Sequence, residues 1–183
     1  VRIASARAGN VIGGGDWATD RIIPDCIKAW SNDDLVELRN PFSTRPWQHV
    51  LEPLSGYLSL AVGLSETSYL HGEPFNFGPQ DQVNHSVLEL VQQMALYWNK
   101  VRWQDVSLSE NGPYESGLLK LNCDKALHHL NWHAVMAFED TVRMTAEWYS
   151  AYYHNQSEIS DCTRNQIVNY TQIAKQKGLS WAL

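Results

Sequence analysis

VRIASARAGNVIGGGDWATDRIIPD, residues 1–25, begins as a strand pattern and ends as a helix pattern. Residues 1–6 form a mostly apolar run, which predicts a buried strand of the parallel type. The glycine-rich segment 9–15 predicts a tight loop after that strand. A buried parallel strand needs neighbouring strands, and nothing before Val1 supplies one, so we expect that further residues precede Val1.

Short strand patterns alternate with helical patterns along the rest of the chain. The first helix is predicted at residues 21–30, with Asp20 as its N-cap and Pro24 in its first turn. Further strands are predicted at residues 36–38, 47–50, 74–79, 101–106 and 118–121, and further helices at residues 53–66, 86–98, 122–130, 138–153 and from 157 onward. The alternation indicates an α/β or α+β-like class, with strands too few and too short for a complete doubly wound sheet.

Composition excludes several classes of function. The net charge of the 183 residues is −6 and no run of Lys or Arg is present, so no nucleic-acid or membrane partner is predicted. Any anionic ligand must therefore be held by a few placed cations. The chain has three cysteines and neither a CxxC pair nor an HExxH pattern, which predicts reduced thiols, a cytoplasmic location and no metal site.

The glycine-rich loop is not a dinucleotide fingerprint. Its glycines, at positions 9, 13, 14 and 15, lack the GxGxxG spacing that lets a backbone approach a pyrophosphate. We therefore predict no cofactor-binding residue in this chain.

Several longer segments together resemble the extended short-chain dehydrogenases/reductases, a family of NAD-dependent nucleotide-sugar epimerases and dehydratases. The matching segments are RAGNVIG (7–13), DRIIP (20–24), RPWQHV (45–50), FNFG (75–78) and the helix with its LNW end (119–132). GGGDWATDRIIPD and RNP…RPWQHVLEPL are most similar to the subgroup of CDP-glucose 4,6-dehydratases. Asn131 stands where glycine is usual in the family, and Asn122 stands where Asp is usual.

The resemblance implies a site for a nucleotide sugar. Arg45 matches the Arg that clamps the substrate diphosphate, and a planar guanidinium suits two phosphate oxygens. The residues at matching positions are Asn10, Asp20, Arg21, Ile22, Leu38, Arg39, Arg45, Asn76 and Glu115. Asp20 would bond a sugar hydroxyl, and Leu38 and Arg39 match a strand that packs on the base. Arg21 is equally compatible with a solvated helix face. Glu115 lies where relatives often place a second phosphate-binding Arg, so part of the clamp differs.

The resemblance also implies the chemistry and the partners of the full-length enzyme. Such an enzyme is expected to be a homodimer that uses bound NAD to convert CDP-glucose to CDP-4-keto-6-deoxyglucose, for dideoxysugar and O-antigen synthesis. The chemistry needs a Tyr-x-x-x-Lys pair, and none of the eight tyrosines has Lys four residues later. We therefore expect no catalytic residue and no turnover in this chain alone.

The implied domain organisation is that of a C-terminal, substrate-binding part. Residues 1–15 would contribute the last strand of a Rossmann domain whose N-terminal core lies before Val1, residues 16–156 the substrate-binding domain, and residues 157–183 a tail helix. Two alternatives stay open: a non-catalytic remnant or interaction module, and part of a related epimerase or decarboxylase, which RPWQHVLEPL disfavours.

Overall fold

The computed structural model describes residues 1–80, 84–107 and 119–183 of the chain. Short strands alternate with helices throughout these ranges. The strands are β1 (Ser5–Ala8), β2 (Asn10–Ile12), β3 (Val36–Leu38), β4 (Thr44–Arg45), β5 (Trp47–His49), β6 (Pro74–Phe77), β7 (His85–Ser86) and β8 (Trp103–Asp105). The helices are α1 (Ile22–Ser31), α2 (Leu51–Glu66), α3 (Val87–Met94), α4 (Asp124–Leu130), α5 (Phe138–His154) and α6 (Ile159–Gln176).

The described strands pair two by two. Three parallel ladders join β1 to β6, β2 to β5 and β3 to β8, and one antiparallel ladder joins β4 to β7. Each parallel partner is distant in sequence, so the intervening helices act as crossovers that cover the ladders. The predicted mixed helix–strand class is confirmed.

The first strand differs from the prediction in both place and burial. β1 begins at Ser5, and its first three residues are exposed, whereas the sequence predicts a buried strand at residues 1–6. In the described chain β1 bonds only to β6, so its other edge is uncovered. The glycine-rich loop is also shorter than predicted, because Asn10–Ile12 pairs with β5 as a strand.

The predicted N-cap of α1 is wrong. Asp20 has a φ of 61°, in the left-handed region, and it lies one residue before the N-cap, Arg21. An N-cap residue has extended backbone so that its side chain reaches the first free N–H groups, and a left-handed residue outside the helix does not. Arg21 is extended but makes no side-chain cap bond. Pro24 lies in the first turn, as predicted.

Two other helix ends show how local bonds override pattern. Ser86 caps α3 through a capping box with Glu89, but α3 ends at Met94, whereas the predicted helix extends to Trp98. In the next turn the N–H groups of Leu96 and Tyr97 bond carbonyls three residues back, at 3.2 and 3.0 Å. This tighter pattern ends the α-helix.

The segment around α4 contains both departures from the family pattern, at Asn122 and Asn131. α4 begins two residues later than the predicted helix, with Cys123 as its N-cap, and Oδ1 of Asn122 accepts from the N–H of Asp124 at 3.1 Å. Residues 119–121 form no strand. Asn131 ends α4 with a φ of 49°, the left-handed conformation that glycine usually supplies and that Asn tolerates best among other residues.

Three hydrophobic clusters hold these elements together. The largest packs α1, α3 and α5 against β2, β3 and β5, and so fixes the strands and helix that bear the site. A second lies between α2, β6 and α4, and a third attaches α6 through Tyr170 and Ala174. Within the described residues, no helix combines the length and apolar character that crossing a membrane requires.

Candidate functional site

A cleft of about 780 Å³ opens between β2, β3 and the first turn of α1. Its volume lies within the range of sites that enclose small molecules. β2 and β5 form one wall through their ladder, in which Asn10 is paired with Trp47. β3 forms another wall, with Leu38 buried and Arg39 exposed beside it.

Most of the predicted site residues line this cleft. They come from four segments that are separated along the chain, and they are Asn10, Asp20, Arg21, Ile22, Leu38, Arg39 and Arg45. Asn76 is not among the lining residues, and Glu115 lies outside the described residues. The structure thus brings together residues that the sequence scatters over 36 positions, from 10 to 45.

Arg45 is half-buried at the end of β4. The antiparallel ladder pairs it with His85, and its Nη1 donates to the carbonyl of Thr44 at 2.9 Å. Nearby, Nε1 of Trp47 donates to the carbonyl of His85 at 2.9 Å, which ties β5 to β7. The backbone around Arg45 is therefore fixed from both sides.

The charges along the cleft are mixed. The described lining includes the cations Arg21, Arg39 and Arg45 and the carboxylates Asp16, Asp20, Asp25 and Glu37. No net positive field results, so an anionic ligand must be held by directed hydrogen bonds from individual arginines.

Asp16 is a lining residue that the sequence argument missed. Its Oδ2 accepts from Nη1 of Arg21 at 3.0 Å, and its Oδ1 accepts from the N–H of Ala18 at 3.0 Å. The available signal was an acidic residue directly after a glycine run and five residues before a predicted ligand-binding Arg.

Asn76 lies on β6, outside the cleft. Its Nδ2 donates to the carbonyl of Asn122 at 3.1 Å, while its Oδ1 is buried without a hydrogen-bond partner among the described residues. The amide therefore joins β6 to the start of α4.

The glycines beside the cleft serve packing and do not form a cradle for a dinucleotide. A Cβ on Gly14 would lie 2.0 Å from the Trp148 ring, and a Cβ on Gly13 would lie 2.8 Å from the Val50 side chain. Each glycine is thus required by a neighbouring side chain that already fills the space. The described glycine loop therefore does not fit an NAD pyrophosphate. In the part of the chain that the structure describes, no group of three or more metal-ligating side chains occurs either.

Two buried titratable side chains lie behind the cleft. His49, at the end of β5, is 1% exposed, and burial lowers its pKa to about 4. Glu52, in the first turn of α2, is equally buried; burial raises the pKa of its carboxyl, opposed by hydrogen bonds from Met136, Tyr170 and Val135. Neither residue lines the cleft.

The chain is similar in sequence to a CDP-glucose 4,6-dehydratase of Salmonella typhimurium. The two are 42% identical over 171 residues, which is 93% of this chain and 47% of that protein. No protein-family model matches the chain.

Solved structures show the same fold. A UDP-glucose 4-epimerase from Stenotrophomonas maltophila, with bound NAD and formylated UDP-arabinopyranose, superposes with a TM-score of 0.66 at 21% identity, over 84% of this chain and 49% of that one. A dTDP-glucose 4,6-dehydratase from Bacillus anthracis, in complex with NAD, gives 0.61 at 18% identity, over 87% and 47%.

These likenesses agree with the C-terminal part of an extended short-chain dehydrogenase/reductase, as the sequence predicts. The chain spans about half the length of the relatives that it matches. The chain is thus similar in sequence to a CDP-glucose 4,6-dehydratase and similar in fold to nucleotide-sugar epimerases and dehydratases.

Proposed function

We propose that the cleft binds a nucleoside-diphosphate sugar, and that the sugar nucleotide is CDP-glucose. One observation carries the proposal: residues from four separated segments, chosen for their likeness to a nucleotide-sugar site, line a single cleft of suitable volume. The 42% identity to a CDP-glucose 4,6-dehydratase supports the choice of base and sugar.

Arg45 is the residue that we assign to the diphosphate. It is half-buried on a fixed strand, so little side-chain freedom is lost when it binds. Its guanidinium presents parallel N–H donors that match two phosphate oxygens. Asn10, on the adjacent wall, supplies a neutral amide donor or acceptor to the same region.

Different walls of the cleft suit different parts of such a ligand. Leu38 and Arg39 line the cleft at β3, where we assign the base, with Arg39 as a hydrogen-bond donor. Asp20 and Ile22 line the cleft at the start of α1, where we assign the sugar. The Asp20 carboxylate would accept hydrogen bonds from the sugar hydroxyls.

In the complete protein we assign to this site the conversion of CDP-glucose to CDP-4-keto-6-deoxyglucose, a step toward dideoxysugars and O-antigen. We expect the complete protein to be a cytoplasmic homodimer. NAD supplies hydride transfer when it is bound. This chain has no Tyr-x-x-x-Lys pair, so we assign both that pair and the NAD-binding residues to a part of the protein outside it. The chain alone is accordingly expected to bind substrate without turnover, and to have no nucleic-acid or membrane partner.

Calorimetric titration of the chain tests the assignment. We expect saturable binding of CDP-glucose, tighter than that of UDP-glucose or dTDP-glucose. Arg45→Ala should weaken binding by about 10- to 100-fold, since it removes a charge-assisted, two-point contact.

Arg164→Ala is the matched control, because Arg164 lies on α6, outside the cleft, and bonds only Asp161 among the described residues. It should bind like the unchanged chain. Absence of binding to all three compounds, or equal binding by the Arg45→Ala variant, would contradict the assignment. Turnover of CDP-glucose by the chain alone would contradict the placement of the catalytic residues.

A further inference from the structure

The Asp16–Arg21 pair lies on the wall of the cleft and not on an unrelated surface. Both residues line it, and the bond from Nη1 of Arg21 to Oδ2 of Asp16 is 3.0 Å long. The second carboxylate oxygen accepts from the N–H of Ala18 at 3.0 Å, so the Asp16 carboxylate is held in one orientation.

The loop that bears Asp16 is itself fixed to two helices. The hydroxyl of Tyr149, on α5, donates to the backbone carbonyl of Asp16 at 2.6 Å. Nζ of Lys28, on α1, donates to the carbonyl of Trp17 at 2.8 Å. Gly14 lies so close to the Trp148 ring that no side chain fits between them. The loop thus forms a rigid platform at the edge of the cleft.

Arg21 needs such a platform. Its side chain is 62% exposed, and a long, exposed side chain loses considerable rotamer freedom when a ligand orders it. Among residues 1–80, 84–107 and 119–183, Asp16 is the one hydrogen-bond acceptor found for the Arg21 guanidinium. The guanidinium carries five N–H donors, so its other edge is available to a ligand.

We propose that Asp16 is a positioning residue that holds the Arg21 guanidinium in place for the diphosphate of the ligand. The inference rests on the proposed function, since it assumes that the cleft binds a nucleoside diphosphate. Asp16 is not among the residues that the family likeness indicates. In this role for Asp16, Arg21 contacts the ligand and is not only a solvated residue on the face of α1.

A double-mutant cycle on binding tests this inference. The unchanged chain, Asp16→Asn, Arg21→Gln and the double variant are titrated with CDP-glucose and with CDP, which carries the diphosphate without the sugar. Asp16→Asn should weaken binding of both compounds by about 3- to 10-fold, because Arg21 must then be ordered by the ligand. In the Arg21→Gln background the same change should have no further effect, because a positioning residue acts only through the group that it positions.

Asn has nearly the shape of Asp, and its amide oxygen still accepts from the N–H of Ala18, so the fold should persist; equal thermal unfolding temperatures check this. Unchanged affinity in Asp16→Asn overturns the inference, and so does an equal loss in both backgrounds. Coupling with CDP-glucose but not with CDP overturns the assignment to the diphosphate. Failure of the unchanged chain to bind either compound contradicts the proposed function itself, an outcome separate from the others.

Discussion

Glu52 and Asp16 are two carboxylates with several hydrogen-bond donors each, in opposite environments. Glu52 is 1% exposed and accepts from the N–H groups of Val135 and Met136 and from the hydroxyl of Tyr170. Asp16 has a side chain 30% exposed, on the wall of the cleft. The same chemical group thus joins distant parts of the chain in one place and orders a neighbouring arginine in the other.

The difference predicts where substitutions act. A buried carboxylate that satisfies three donors leaves them unpaired when it is removed, so the free energy of unfolding falls. An exposed ion pair contributes little to that free energy, so its removal is felt mainly in ligand binding. Four measurements test this contrast.

The largest effect is expected for Glu52→Ala. The change leaves two backbone N–H groups and the Tyr170 hydroxyl without their acceptor and opens a cavity between α2 and α6. The free energy of unfolding should fall by about 3–5 kcal/mol in urea denaturation. Glu52→Gln, which keeps the volume and one acceptor oxygen, should lose less. A loss below about 1 kcal/mol for Glu52→Ala would contradict the structural role.

His49 makes the buried region sensitive to acid. Burial lowers its pKa from 6.5 to about 4, and its Nε2 is buried with no partner among the described residues. Below pH 6.5 the unfolded chain therefore binds a proton at His49 that the folded chain excludes. The contribution of neutral His49 to the free energy of unfolding is present above pH 6.5 and is lost as the pH falls through about 4.

Between pH 7 and pH 4.5 the loss attributable to His49 should be about 2–3 kcal/mol. It is measured as the difference between the pH profiles of the unchanged chain and of His49→Asn in urea denaturation. The raised pKa of Glu52 has the opposite effect, since the stability that protonated Glu52 contributes is lost as the pH rises. Both proteins contain Glu52, so the difference between their profiles does not include this effect. Identical profiles for the two proteins would contradict the prediction.

Tyr170→Phe should have a smaller effect. It removes the hydroxyl that donates to Glu52 at 2.9 Å and bonds Ser55 at 2.8 Å, while the ring keeps its packing on Trp181. We expect a loss of about 1–2 kcal/mol in the free energy of unfolding. Tyr69→Phe is the control, since Tyr69 is 59% exposed, and it should be neutral. Equal values for the two variants would show that the hydroxyl network contributes nothing.

Residue patterns predict the two regions unequally. Most of the predicted site residues line one cleft because each lies in a segment whose own pattern carries the likeness, as Arg45 does in RPWQHV. The Glu52 network was not foreseen, because its partners lie at Val135, Met136 and Tyr170, between 83 and 118 residues away. A lone carboxylate in the apolar run VLEPL was the one local signal.

The misplaced elements have local causes that hydrophobic pattern does not report. Asp20 was predicted as a cap because its residue type favours caps, but its backbone is left-handed. β1 was predicted as buried from its apolar residues, whereas burial depends on what covers a strand. Asn131 shows the opposite case, in which an apparent departure from the family is explained by a backbone conformation that Asn shares with glycine.

The smallest effect on stability is expected for Asp16→Asn. Its ion pair with Arg21 is exposed on the Arg21 side, and exposed pairs contribute about 0–1 kcal/mol to the free energy of unfolding. The carbonyl of Asp16, which accepts from Tyr149, belongs to the backbone and is retained in the variant. Urea denaturation should therefore give a change below about 1 kcal/mol. A loss as large as that of Glu52→Ala would mean that the Asp16 side chain stabilises the fold. A small loss together with weakened CDP-glucose binding would separate the carboxylate that orders a ligand-binding arginine from the one that stabilises the fold.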